Sequence, residues 1–260
     1  QWFLELFQKG LRDSDPDNEN RDQRILNINN YFTYAIYKNV CRSLFEKDKL
    51  LLSFTMVCRM LEIDPAPMRF LLTGGIDSES VSQSPLSWLP TQTWKMVCRA
   101  QQLPSMAWLP EHIQQHPDAW RSFYDSNSPH DGPHPAPAER LNAEGGGDLL
   151  TELIIMRLLR PDKLVPVVKA FVTKHLGKKF TEPPLFNLGQ IFCDSGEPWV
   201  PLVFVLSAGF DPLAELTLFA EEQGMNKRME TLSLGQGMGK RAAETMLLGR
   251  QQGLWILLQN

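Results

Sequence analysis

The sequence predicts a mixed fold, α-helical in its first part and α/β in its last, and three features predict it. Apolar residues recur at three- and four-residue steps up to about residue 62. A stretch from 126 to 147, rich in Pro, Gly and Ser, interrupts the pattern. Beyond it, short apolar runs alternate with helical segments through turns, as the right-handed crossover units of a parallel sheet do. The expected organisation is a helical domain over 1–125, a flexible linker over 126–147 and an α/β domain over 148–260 with a partial parallel sheet.

The first helix is expected from Gln1 to about Gly10, with Trp2, Phe3, Leu6 and Phe7 on one side and Gly10 ending it. From Asn20 to Glu62 the pattern is helical again: Ile25, Ile28, Phe32, Ala35 and Ile36, then Val40, Leu44 and Phe45. Leu50 to Leu61 is apolar nearly all round, so that helix is expected between neighbours on several sides. Asp64-Pro65-Ala66-Pro67 is read as its stop. Residues 68–125 are rich in Pro and Trp, and Trp88, Trp94, Trp108 and Trp120 are expected to staple short helices. Nothing in 126–147 can offset the entropy of ordering, which predicts an exposed, mobile connection with His130 and His134 solvated. Asp148 caps a helix running to about Arg160, and Pro161-Asp162-Lys163 opens the next, which carries Val167, Val168, Phe171 and Val172. Pro201 to Leu206 reads as a parallel strand buried on both faces. A helix with Leu213, Leu216 and Phe219 follows, then a strand at 231–234, a helix over 240–250 and a strand at 254–258.

Composition bounds the function. The 260 residues are 43 % apolar and 22 % charged, enough for a sizeable core. Twenty-six Lys plus Arg against 30 Asp plus Glu leave a net charge of −4, which gives no general field for nucleic acid or an anionic membrane. The four cysteines, 41, 58, 98 and 193, form no C-x-x-C pair and read as reduced, mostly buried thiols of an intracellular chain. No apolar run reaches the ~18 residues of a membrane span. The chain opens without Met on an apolar helical run and stops after an apolar run read as a buried strand, which suggests an internal piece of a longer polypeptide.

Three stretches occupy the places of a nucleotide site. A phosphate-binding loop needs G-x-x-x-x-G-K-[ST], with glycines to turn amides inward, Lys for charge and a hydroxyl for magnesium. Ser207-Ala208-Gly209-Phe210-Asp211-Pro212 has one glycine and no Lys; Asp211 adds a negative charge and Pro212 removes an amide donor. Asp211 as N-cap with Pro212 at the first helical position is the favoured reading. Gly235-Gln236-Gly237-Met238-Gly239-Lys240 also misses the template, since Leu234 stands five before Gly239 and Arg241 follows Lys240. It reads as an anion-tolerant, Gly-rich turn at a helix start. The last apolar run ends in Gln259-Asn260, where an ATPase of this architecture ends in Asp-Glu; amides neither neutralise magnesium nor act as base. Three lost elements together describe a retired site, with no catalytic residue, cofactor or metal expected. His112 and His116 are four apart but lack the acidic residue and third ligand of a zinc site, and read as surface histidines.

Several stretches resemble a dynein heavy chain: 39–50 (NVCRSLFEKDKL), 159–163 (LRPDK), Phe204-Val205-Leu206-Ser207 with Asp211-Pro212, 233–237 (SLGQG) and 255–260 (WILLQN), in one order and spacing. The first is most similar to axonemal, inner-arm heavy chains. The resemblance implies a ring of six AAA+ modules in a minus-end-directed, ATP-driven microtubule motor of cilia and flagella. Residues 1 to about 140 then correspond to the helical small (lid) domain of the fifth module. Residues from about 148 correspond to the start of the degenerate, P-loop-like large domain of the sixth, which in that family binds no nucleotide. ATP and magnesium are implied in other modules only. The implied partners are neighbouring modules of the same chain, microtubules, intermediate and light chains and axonemal components, without nucleic acid or membrane. The implied location is the cytoplasm, cytoskeleton and axoneme. Ala208 and Phe210 stand where the family commonly has Pro and Ala, and Met238 and Lys240 where it has Gln and Pro. Two other readings are an active nucleotide-binding module using Gly235–Lys240, and a scaffold that recruits a partner through 126–147.

Overall fold

The computed structural model describes residues 2–16, 20–75, 83–141, 149–195, 198–206, 209 and 211–259, the side chain of Trp2 excepted. It forms two compact units, Gln1–Pro184 and Leu185–Asn260.

The first unit is helical. Helix α1 (Trp2–Asp13) lies on α2 (Arg21–Cys41), where Phe3 and Phe7 meet the Phe32 ring edge-on at 5.1 and 5.6 Å. Gly10 does not end α1; it lies inside the helix, facing the Tyr31 ring at ordinary contact distance. Asn20 caps α2, its Oδ1 accepting the amides of Asp22 and Gln23 at 3.0 and 3.1 Å. The helical pattern of 20–62 divides at an extended Phe45, after which α3 (Glu46–Met60) begins with Glu46 and Asp48 in its first turn. Asp64–Pro67 is a start and not only a stop. The Asp64 carboxylate accepts the Ala66 amide at 3.0 Å and opens α4 (Pro65–Thr73), which ends at Gly74 with φ +85°.

Short helices follow: α5 (Thr91–Arg99), α6 (Leu109–Gln115), α7 (Pro117–Asp125) and α8 (Ala138–Leu141). Trp94 and Trp120 are buried among them, and Trp88 packs on Tyr124 at 5.6 Å, the stapling expected of the Trp-rich stretch. The described part of the expected linker is anchored and not free. Ala136 is 6 % exposed, and the His134 ring lies against Trp120 and Phe123, so the expectation that His134 is solvated is corrected. The entropy of ordering is offset here by aromatic contacts that lie before the linker in sequence. Residues 142–148, and with them Gly145–Gly147 and the expected cap Asp148, fall outside the described residues.

Helices α9 (Thr151–Leu159) and α10 (Leu164–Leu176) complete this unit. From Leu153 to Leu159 α9 is buried at every position except Arg157, which requires neighbours on all sides; α4, α5 and α10 supply them. Helix α10 lies on α3: Phe171 meets Phe54 at 5.9 Å, and Ser53 Oγ donates to the Phe180 carbonyl at 2.6 Å. The packing boundary therefore falls after Pro184, whereas the sequence groups 148–184 with the strands.

The second unit contains α11 (Leu188–Ser195), α12 (Leu213–Glu222), β1 (Met229–Ser233), α13 (Gly239–Gln252) and β2 (Trp255–Gln259). The strands pair in parallel from Met229↔Trp255 to Ser233↔Gln259, with α13 as crossover. Helix α13 closes on β2 at Gly249, where a Cβ would meet Ile256 Cγ1 at 2.7 Å. Phe192, Phe219 and Trp255 pack ring to ring. Pro201–Leu206 joins no ladder among the described residues, and Val203 and Val205 are exposed. The expectation of a doubly buried strand is corrected: apolar composition makes a run fit for a sheet interior, but only neighbouring strands put it there. Cys41 and Cys58 are buried, Cys98 is half-buried and Cys193 is exposed. Among the described residues no helix is long and apolar enough to cross a membrane.

Candidate functional site

The parallel pair sets the geometry of the expected nucleotide site, because ligands of open α/β sheets lie beyond the C-terminal ends of the strands. Ser233 and Gln259 end β1 and β2 side by side, and the Leu234 amide donates to the Gln259 carbonyl at 2.6 Å. The Gly-rich turn therefore starts where the final strand ends. Gly237 takes φ +82°, and the Met238 amide closes back on the Gly235 carbonyl at 3.2 Å. Gly239 begins α13 with no side-chain cap, and Lys240 is exposed at its second position. The amides of this first turn and the exposed Lys240 are suited to an anion, but the first glycine and the Ser or Thr of the phosphate motif do not accompany them.

At the other stretch the helix start is occupied. The Asp211 carboxylate accepts the Leu213 amide at 2.9 Å, capping α12, with Pro212 between them at φ −79°. The helix begins at Leu213, so Pro212 stands at the N-cap and not at the first helical position, and Asp211, expected as the N-cap, bonds the first helical amide from one residue further out. A carboxylate fills the position where a phosphate would meet those amides. Gly209 takes φ +82° in open space. Ser207, Ala208, Phe210 and Asn260 lie outside the described residues. The structure thus places Gln259 and Gly235–Lys240 together by strand pairing.

The histidine pair has a different role from the one its spacing suggests. Trp120 Nε1 donates to His112 Nδ1 at 3.0 Å, and the His112 ring stacks on His116 at 4.3 Å. Burial, then the neighbouring His116, pull the His112 pKa down. His112 is a half-buried acceptor within α6 and α7, not the surface histidine expected from the sequence.

Sequence reasoning missed two arginines. A cleft of about 700 Å3 in the first unit is lined by Gln92, Thr93, Tyr124, Arg157, Arg160 and Asp162, among others. Arg157 Nη1 donates to the carbonyls of Leu71 and Leu72. Arg160 Nη1 donates to the carbonyls of Tyr124 and Ser126, while its Nε and Nη2 clasp Asp162 at 2.9 and 2.8 Å. That clasp holds the Asp162 carboxyl below its ordinary pKa. A signal was present: a single cation stands inside the otherwise apolar run Leu153–Leu159, and a second follows three residues on.

Residues 197–260 match the family model described as "Dynein heavy chain region D6 P-loop domain". The chain is 42 % identical to human dynein axonemal heavy chain 12 over 94 % of its own length and 8 % of that protein's. It is 40 % identical to human dynein axonemal heavy chain 3 and 36 % identical to human dynein axonemal heavy chain 1, each over the whole of this chain and 6 % of theirs. The chain therefore spans less than a tenth of the length of these relatives. A match of this extent along nearly all 260 residues, joined to a parallel strand–turn–helix unit, assigns the chain to the axonemal dynein heavy chain family.

Proposed function

We propose that these residues are a mechanical segment of the AAA+ ring of an axonemal dynein heavy chain, coupling neighbouring modules and binding no nucleotide themselves. In this reading residues 1–125 form the small helical domain of the fifth module, 126–147 connect, and 148–260 begin the large α/β domain of the sixth. ATP and magnesium belong to other modules, and microtubules, light and intermediate chains and axonemal components act through the longer chain. The cilium or flagellum is the place of work, within an inner arm. The observation that carries the reading is the capped start of α12. Asp211 holds the amide a phosphate would need, and no Lys accompanies Gly209 to Pro212. The docking of α9 and α10 into the helices before 126 supports the coupling role, because a rigid joint between successive modules transmits displacement.

Photolabelling of the intact heavy chain with an azido-ATP, with and without magnesium, tests the reading. Labelled peptides are expected from other modules and none from 185–260. Magnesium-dependent label between Gly235 and Lys240 would instead establish the second reading, a nucleotide-binding module. That reading draws on the uncapped first turn of α13 beside Gln259.

A further inference from the structure

Helix α9 is buried by apolar contact, which fixes little about register because such contact has no direction. Its directional bonds come from Arg157 and Arg160. Leu71 and Leu72 belong to the last turn of α4, and Tyr124 to the last turn of α7, followed by its cap Ser126. Those carbonyls lack partners within their own helices and form the negative ends of the helix dipoles. Arg157 takes the end of α4, with its second bond at 3.2 Å, and Arg160 takes the end of α7, bonding Tyr124 at 2.8 Å. Asp162 grips the other edge of the Arg160 guanidinium and fixes its plane. Gly74, in a left-handed turn, lets α4 end beside Arg157; a Cβ there would stand 3.2 Å from Nη2.

We propose that Arg157 and Arg160 are the positioning residues through which α9 follows α4 and α7, two pins that convert loose apolar contact into a fixed mechanical joint. The proposal rests on the coupling reading above and names the bonds that carry it. In each arginine a single nitrogen, Nη1, bonds both carbonyls; lysine would keep the charge, but its ammonium sits on a flexible stem without the rigid plane that aims Nη1, and in place of Arg160 it also loses the Nε–Nη2 edge that holds Asp162.

The test uses the intact heavy chain with Arg157→Lys, Arg160→Lys and the double Arg157→Gln/Arg160→Gln. It reads basal ATPase, microtubule-stimulated ATPase, melting temperature and amide exchange at Leu71–Gly74 and Tyr124–Ser126. Phe171→Ala, which loosens α10 from α3 without touching either pin, serves as control. The double variant is expected to keep basal ATPase and to lose stimulation by about fivefold or more, the scale of an allosteric coupling. Each lysine variant should lose part of the stimulation at an unchanged melting temperature. If the double variant fails to fold, the lysine variants decide by the same readout. Full stimulation in folded variants whose exchange at the two helix ends has risen overturns the pins. In that case uncoupling by Phe171→Ala leaves the coupling reading standing, and full stimulation there as well removes both.

Discussion

A half-buried histidine whose δ-nitrogen accepts a backbone amide has one place left for a proton, and the partial burial penalises the charge that a second would bring. His134 is in that position. Its Nδ1 accepts the Ala136 amide at 3.0 Å, its ring is 4.9 Å from Phe123 and 5.9 Å from Trp120, and its pKa is pushed down to about 4 by burial. Unfolded, the same ring titrates near its ordinary 6.5. Between those values the unfolded chain binds a proton that the folded chain refuses. Stability is therefore complete above pH 6.5 and falls as pH drops toward 4, by on the order of 3 kcal/mol. Urea midpoints across this range should decline for the wild type and decline less for His134→Asn, whose Oδ1 can still accept the Ala136 amide. Equal declines would place the dependence on another group. In the sequence His134 stands among Pro, Gly and Asp, which read as solvated; the rings that bury it lie 11 and 14 positions earlier.

Elements were legible where periodicity and caps agreed. The helices of 2–13, 21–60 and 164–176 follow their apolar spacing, and the parallel strands at 229–233 and 255–259 follow short apolar runs bounded by glycine. Boundaries were less legible, because Asp64 and Pro65 are as good a start as a stop, and only the chain's path decides between them. The all-round apolar stretch Leu50–Leu61 predicts neighbours on several sides of α3, but not that α10 is one of them or which residues make the contact. Removing the Phe171 ring, 5.9 Å from Phe54, should cost about 3 kcal/mol, as large-to-small changes in cores do. Ser53→Ala should cost about 1 kcal/mol by leaving the Phe180 carbonyl without its buried donor. Thermal or chemical unfolding measures both. A cost for Phe171→Ala no larger than that of Lys169→Ala, on the exposed side of α10, would mean that other contacts hold the helix.

At the scale of the whole molecule the two units differ in how much they bury. The contiguous core runs through the first, from Tyr37 to Phe180, with Trp120, Met106, Ile154 and Ile155 fully enclosed. The second buries Leu188, Phe219, Ala220, Leu232 and Ala242, while Trp199, Val203, Val205, Leu218 and Leu247 are exposed. Residues 1–184 alone should unfold cooperatively, and residues 185–260 alone should bind a dye such as ANS and self-associate, as exposed apolar surface does. Sizing by chromatography with dye fluorescence checks both, and a monomeric, dye-silent 185–260 would contradict the account. The helical and α/β grammar, the family likeness and the missing charges of a phosphate loop were already legible in the residues, because each is written in local spacing and residue type. Long-range packing fixed the rest: where the packing boundary falls, that His134 is half-buried against Trp120 and Phe123, that Pro201–Leu206 joins no described strand, and that Arg157 and Arg160 meet two helix ends. Those outcomes depend on residues distant in sequence coming together, and no local pattern records which partner a side chain or a strand edge will find.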